Sequence, residues 1–317
     1  MADVGCAGIL VADTFCGPMK EVPREGELLA LEAMPSRAGG CAANVAIDLA
    51  RQGVAAEVTG CVGRDASAAV IVQELDDAGV GSSRLIRTAE LPTSKTVILL
   101  VEGQDRRYLH MFGANAAFTA AHIPRDWLAT LKVFYLGGLF LMPRFRPEEF
   151  MDVLALCRAH GVATVVDVVI PGEQDCRRAI QPLLPLIDCF LPNGDEARLL
   201  TGLDRPEDQA RALAAGGAGL AVVTCAGAGA IAARADECWR VGAYPMPVVD
   251  PSGAGDAFDA GVIAGLLRGW DLPATLRYAA ALGASAVRAV GTTAGVFTAA
   301  EAESFVAEHD LALERVR

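Results

Sequence analysis

The apolar residues of the chain fall into short runs, and most of these alternate with stretches of helical spacing. The first run, Val4 to Asp13, is apolar almost throughout and closes on a carboxylate, which predicts a buried central strand with Asp13 at its C-terminal edge. Further runs predict strands near Ala56 to Val62, Val133 to Leu136, Ala163 to Val168, Cys189 to Leu191 and Leu220 to Thr224. Helical patterns lie between most of them, and such alternation implies a parallel sheet covered on both faces. Helical spacing then dominates from Ala254 to about Gly269, from Pro273 to Arg288, and from Ala299 to about Leu313.

Two stretches depart from this rhythm. From about residue 15 to 38, Pro and Glu interrupt short apolar pieces without helical periodicity. From about 96 to 112, an apolar run, a Glu-Gly-Gln-Asp turn and a second run that begins at Arg106 read as a hairpin. The two are expected to pair into a small sheet beside one main domain spanning 1–317, as a lid or as a plain edge extension.

Composition narrows the function. With 53% apolar residues the chain can fill a sizeable core, and no run reaches the length that crosses a bilayer. Nine cysteines without a C-x-x-C pair, and a start without a signal-peptide pattern, point to a soluble protein of a reducing cytoplasm. The four histidines lack zinc-site spacing. A net charge of −12 with no basic stripe argues against nucleic acid. Any bound polyphosphate would therefore rest on backbone N–H groups, helix starts and a metal ion.

Three segments carry candidate chemistry. In Asp250-Pro-Ser-Gly-Ala-Gly-Asp256 a strand passes through Gly253 and Gly255 into a helix. The free N–H groups of that helix start form an anion site, beside which Asp256 can take a proton from an alcohol or merely cap the helix. In Gly39-Gly-Cys-Ala-Ala-Asn44 two glycines open an Ala-rich helix. Gly39 and Gly40 let a ligand approach and Asn44 can bond hydroxyls, although small residues also serve close helix packing. Asn193 and Glu196 fall three apart at a strand-to-helix junction, where they could hold hydrated Mg2+ or form a cap.

In this order, and over nearly the whole chain, the segments resemble the ribokinase-like (PfkB) carbohydrate kinases. The resemblance implies a three-layer α/β/α sandwich with a central, mostly parallel sheet and a small β-sheet lid. It implies ATP as co-substrate, Mg2+, and often a monovalent cation such as K+. It places Asp256 as catalytic base, Gly253, Ala254 and Gly255 as anion hole, and Asn193 and Glu196 near Mg2+. Asp13, Gly40 and Asn44 would face substrate hydroxyls, and Asp250, Ser252 and the Gly291 to Gly295 turn resemble the cation loop. Gly113-Ala-Asn115 looks like the strand after the lid, which makes Asn115 a substrate-side candidate. The phosphate-side turn appears as Thr224-Cys-Ala-Gly-Ala-Gly229, with Thr224, Gly227 and Gly229 in place but Ala226 where the family has glycine. Cys41 stands where ribokinases have lysine, which puts ribose in doubt, and Ser252 replaces the commoner threonine.

The expected activity is therefore ATP-dependent phosphorylation of a hydroxyl on a small sugar, sugar acid or polyol. A nucleoside acceptor would need aromatic faces, for which only Phe15, Tyr108 and Phe112 are placed. Arg37, Arg106, Arg107, Arg144 and Arg146 could meet an anionic group on the acceptor. A sugar-binding sensor on the same fold is the alternative outside enzymes. A P-loop is excluded by the lack of Gly-Lys-Ser/Thr, and a dinucleotide fingerprint is incomplete. The partners expected are a sugar-like molecule and ATP, with no membrane, and a homodimer through the lid.

Overall fold

A computed structural model describes residues 2–172 and 175–316. Its larger sheet has nine strands, in the spatial order Leu313–Arg315, Cys238–Val241, Ala230–Ala233, Leu220–Thr224, Cys189–Phe190, Ala163–Val168, Val133–Leu139, Val4–Gly8 and Ala56–Thr59. The six strands from Leu220–Thr224 to Ala56–Thr59 run parallel, and the other three add antiparallel at one edge. The parallel strands are apolar throughout because helices cover them: Val133–Leu139 is buried at every position, and Phe134, Tyr135, Phe150 and Phe190 are fully buried. The expected α/β architecture is present.

A smaller four-stranded sheet orders Ser36–Gly39, Val11–Met19, Lys95–Val101 and Arg107–Met111. Alternation sorts its residues onto two faces. Asp13 and Phe15 of one strand stand opposite Thr96 and Ile98 of the next, which stand opposite His110 and Tyr108. Phe15, Ile98 and Leu100 form a small core on this face. Cys16, Met19 and Val101 form another, with Leu31 packed against it.

Three expectations need correction. The run from Val4 to Asp13 is two strands in two sheets: the first ends at Gly8, and the second starts at Val11. A Cβ at Gly8 would lie 2.0 Å from the Gly137 carbonyl oxygen, so the strand ends in a close backbone approach that only glycine allows. Asp13 therefore sits inside a strand of the smaller sheet and not at the end of a central strand. Ala56 to Val62 likewise divides, with Cys61–Val62 pairing instead with Ile86–Arg87. The final helix is shorter than its spacing suggests, Ala299–Glu308, and Leu313–Arg315 is recruited as an edge strand by Cys238–Val241.

Candidate active site

The start of the Ala254–Leu267 helix has its geometry set by Gly253. That residue has φ 78°, and a Cβ there would lie 1.9 Å from the Thr292 carbonyl oxygen. Among the described residues no side chain caps this helix, and apart from a long 3.5 Å bond from the Ala254 N–H to the Pro251 carbonyl its first N–H groups are open to an anion. A Cβ at Gly255 would have no neighbour within 4 Å, which leaves the approach open.

Asp256 lies in the first turn of this helix, half-buried. Its Oδ2 accepts a 2.8 Å hydrogen bond from Asn44 Nδ2, and Asn44 Oδ1 accepts one of 2.8 Å from the Thr292 hydroxyl. Asn44 is thereby fixed in orientation, and the Cys41–Arg51 helix is tied to the Ala254–Leu267 helix. Burial pushes the Asp256 carboxyl above its ordinary range, while the Asn44 and Cys41 hydrogen bonds and the Arg106 charge oppose the rise.

Around Asp256 is an acidic pocket that sequence reasoning largely missed. The ligating atoms of Cys41, Asp167 and Asp256 lie within 4.8 Å of one another. One turn along the helix, Asp259 accepts a 3.1 Å bond from the Tyr135 hydroxyl. Burial, and then the neighbouring carboxylates, hold Asp167 and Asp259 well above the usual carboxylate range. The Cys41 thiol is pushed up by burial and by Asp256 and Asp167, so it stays protonated beside them. Asp167 had a signal in the sequence, a carboxylate near the end of the strand-like Val165-Val-Asp-Val168. Asp259 had the three-residue spacing from Asp256 that places both near one helix face.

The remaining candidates divide into those the fold brings to this pocket and those it does not. Asp250 is fully buried and joins two loops, accepting 3.0 Å bonds from the N–H groups of Ser252 and Gly291. The Ser252 hydroxyl beside it is buried without a hydrogen-bond partner among the described residues. Asp13 is buried against Gly39, where a Cβ would stand 1.9 Å from its Oδ2. Burial pushes its carboxyl up to about 7 against a hydrogen bond from Thr96, with the charges of Asp256 and Asp250 adding to the rise. Gly40 forms the start of the helix that carries Cys41 and Asn44.

Asn193 and Thr224 meet across a parallel bridge, which puts the two strand-to-helix junctions side by side. Asn193 and Glu196 cap one another's backbone N–H groups at 2.9 Å, the capping alternative. Glu196 is nevertheless pushed up to about 7, chiefly by burial. The Thr224 to Gly229 turn closes through a 2.7 Å bond from the Cys225 N–H to the Gly229 carbonyl, with Ala226 at φ 47° and open space beside Gly227. Asn115 stands apart. It is fully buried, and its amide is bonded to both the N–H and the carbonyl of Leu10, so it pins the crossing between the two sheets and does not face the pocket. Phe15 is fully buried too and offers no face to a ligand.

Comparisons with known proteins converge on one family. The model described as "pfkB family carbohydrate kinase" matches residues 1–299. A 2-dehydro-3-deoxygluconokinase of Bacillus subtilis is 31% identical over 280 residues, 84% of this chain and 86% of that protein. A ribokinase of Staphylococcus aureus is 27% identical over 78% of this chain and 80% of its own. Ribokinase of Arabidopsis thaliana, solved with ribose and ATP, superposes with a TM-score of 0.81 at 21% identity, covering 96% of this chain and 98% of that one.

Proposed function

The chain belongs to the pfkB family of carbohydrate kinases, and on that basis we propose that it moves the γ-phosphoryl group of ATP to a hydroxyl of a small sugar, sugar acid or polyol, with Asp256 as the base. The observation that carries the role of Asp256 is its position: a carboxylate in the first turn of an uncapped helix start, aimed by Asn44. The acceptor hydroxyl gives its proton to Asp256, and the N–H groups at Gly253, Ala254 and Gly255 receive the charge on the transferring group. A raised carboxyl suits this task, because a more basic carboxylate takes the acceptor's proton more readily.

The residues present also fit a metal. Asp167, Glu196 and Asp256 form a cluster of mutually repelling acids with no lysine in it, and Mg2+ bound with ATP would neutralise the triphosphate there. Asn193 and Thr224, side by side, and Gly227, with open space beside it, would meet the nucleotide, while Gly229, packed against the Val241 carbonyl, shapes the turn. The buried, unpartnered hydroxyl of Ser252 and the carboxylate of Asp250 suit K+, which would stiffen the loop before the anion hole. Asp13 and Asn44 then face acceptor hydroxyls, and the segments 15–38 and 96–112 act as lid. Exposed Leu109 and Met111 on the outer face of its edge strand suit a second copy of this chain, so sedimentation velocity should show a concentration-dependent dimer.

The test is ADP release with a panel of sugars, sugar acids, polyols and nucleosides, in K+ and in tetramethylammonium at equal ionic strength. Turnover of a carbohydrate, faster in K+, is expected. A nucleoside as best acceptor would overturn the acceptor class, and equal rates in the two cations would remove K+.

A further inference from the structure

We propose that Arg106 makes this kinase selective for an acceptor that carries a single carboxylate, a sugar acid rather than a neutral sugar. The inference rests on the kinase reading above and concerns the inner face of the smaller sheet.

Five arginines were candidates for an anionic acceptor, and the structure separates them. Arg37 pairs with Glu74 at 3.6 Å, Arg107 donates to Gln104 on the exposed outer face, and Arg144 and Arg146 are exposed. Arg106 is different. It stands just before the edge strand, and by two-residue alternation it shares the side of Tyr108 and His110, the side that carries Asp13 and Thr96. Its guanidinium lies 5.6 Å from the centre of the Tyr108 ring, and its charge reaches Asp256 strongly enough to oppose the rise of that carboxyl.

Its Nε is buried and has no hydrogen-bond partner among the described residues. An unmet buried donor is costly to the folded chain, so a guanidinium edge in this state is a docking point for an acceptor atom. Nη1 is already held by Asp105 at 2.9 Å, which fixes the plane of the fork and leaves the Nε edge to a ligand. Four positions along the same face, His110 Nε2 is also buried without a partner. Its other ring nitrogen lies 3.0 Å from the Thr96 hydroxyl, which in turn bonds Asp13. With Thr96 donating to Asp13, His110 Nδ1 donates to Thr96, and the neutral ring turns a lone pair on Nε2 toward the ligand side. The face thus offers a donor for a carboxylate at one end, an acceptor for a hydroxyl further along, and Asp13 beyond it.

Charge limits the anion to one unit. The charges of Asp256 and Asp250 bear on Asp13, and the charge of Arg106 bears on Asp256. A phosphate dianion would leave excess negative charge beside these acids, whereas a carboxylate on a fixed fork is matched.

The experiment compares kcat/KM for a six-carbon 2-keto-3-deoxy acid and an aldonate with glucose, ribose and fructose 6-phosphate, in wild type, Arg106→Gln and Arg106→Lys. Wild type is expected to prefer an acid. Arg106→Gln should lower kcat/KM for it on the order of 10- to 100-fold, mostly through KM, with Arg106→Lys between. The ratio of acid to neutral acceptor should fall at least about tenfold. Calorimetric titration of the acid into each protein without ATP reads the same contact apart from turnover, and equal melting curves exclude misfolding. Preference for neutral or phosphorylated sugars, or an equal loss on every acceptor with a shifted pH profile, would show that Arg106 acts only through Asp256. Acid binding that needs Arg106 without ADP release from any acceptor would sink the kinase reading and leave this contact standing.

Discussion

Asp256 and Asp48 are both acids of the buried interface between two helices, yet only one has partners. Asp256 holds Asn44 and faces the open helix start, so its charge is useful there. Asp256→Asn keeps the size and the neighbours of the side chain but cannot take a proton. Loss of a positioned base costs about 10²- to 10⁴-fold in kcat, roughly 3 to 5 kcal/mol of barrier. Melting and ATP affinity should stay near wild type, and a variant keeping more than about a tenth of wild-type kcat would put the base elsewhere. Asp48 lies one turn beyond Asn44 in its helix, is fully buried, and neither carboxyl oxygen has a partner among the described residues. Burial first, and then the Asp256 charge, hold its carboxyl well above the normal range despite Arg51. The folded chain therefore keeps a proton that the unfolded chain releases above about pH 4. Asp13 and Glu196, each near 7, behave alike, so stability is highest near the unfolded carboxylate value and is lost as pH rises toward 7. The ligand-free melting temperature should fall between pH 5 and pH 8. Asp48→Ala removes two unmet oxygens and should raise stability at pH 8 by about 1 to 2 kcal/mol, less at pH 5; a lower melting temperature at pH 8 would mean that the carboxylate has a role in holding the helices.

At the scale of elements, one turn carries a local conflict. Ala226 sits at φ 47°, a region that costs an L-residue about 1 to 2 kcal/mol, in a turn whose shape is otherwise set by Gly229 at φ 90°. Ala226→Gly removes that strain and loses part of the gain to the freedom of the unfolded chain. A net stabilisation of up to about 1 kcal/mol is expected by thermal or urea unfolding, and a decrease would show that the Ala226 methyl packs usefully. The same turn shows what a sequence makes visible. Asp250, Gly253, Asp256, Gly39 and Asn44 were legible because each lies in a contiguous segment whose glycines and polar residues break an apolar rhythm. Asp167 was not, since a lone acid inside a strand gains meaning only when the strand order sets its end beside the helix of Asp256. Arg106 looked like any charged turn residue until the pairing of Lys95–Val101 with Arg107–Met111 fixed its side. The division of Val4 to Asp13 was hidden for a related reason: both halves are buried, so the apolar run continues where the chain changes sheets.

For the whole molecule the governing fact is charge. The chain carries −12 and only three lysines, Lys20, Lys95 and Lys132. Lys132 pairs with Asp3, away from the pocket. Asp167, Asp256, Asp259 and Glu196 gather at the helix start, and the first two of these lie close enough together for the charge of Asp256 to raise Asp167. A helix start with free N–H groups contributes a favourable term for an anion, on the order of half a positive charge, which is small against a triphosphate of several negative charges. Free ATP4− should therefore be repelled by the acids more than the helix start attracts it, and a divalent cation must reverse the balance. A ligand at a hundredfold excess over its Kd stabilises the folded state by about 2.7 kcal/mol, enough to move the melting temperature by several degrees. We expect that shift with ATP and Mg2+ together, and little or none with ATP in excess EDTA or with Mg2+ alone. The shift should also persist in Asp256→Asn, because that variant keeps the helix start and loses one negative charge. Equal shifts with and without Mg2+ would mean that side chains outside this pocket neutralise the phosphates, and the assignment of the nucleotide to the Ala254–Leu267 helix start would have to be abandoned.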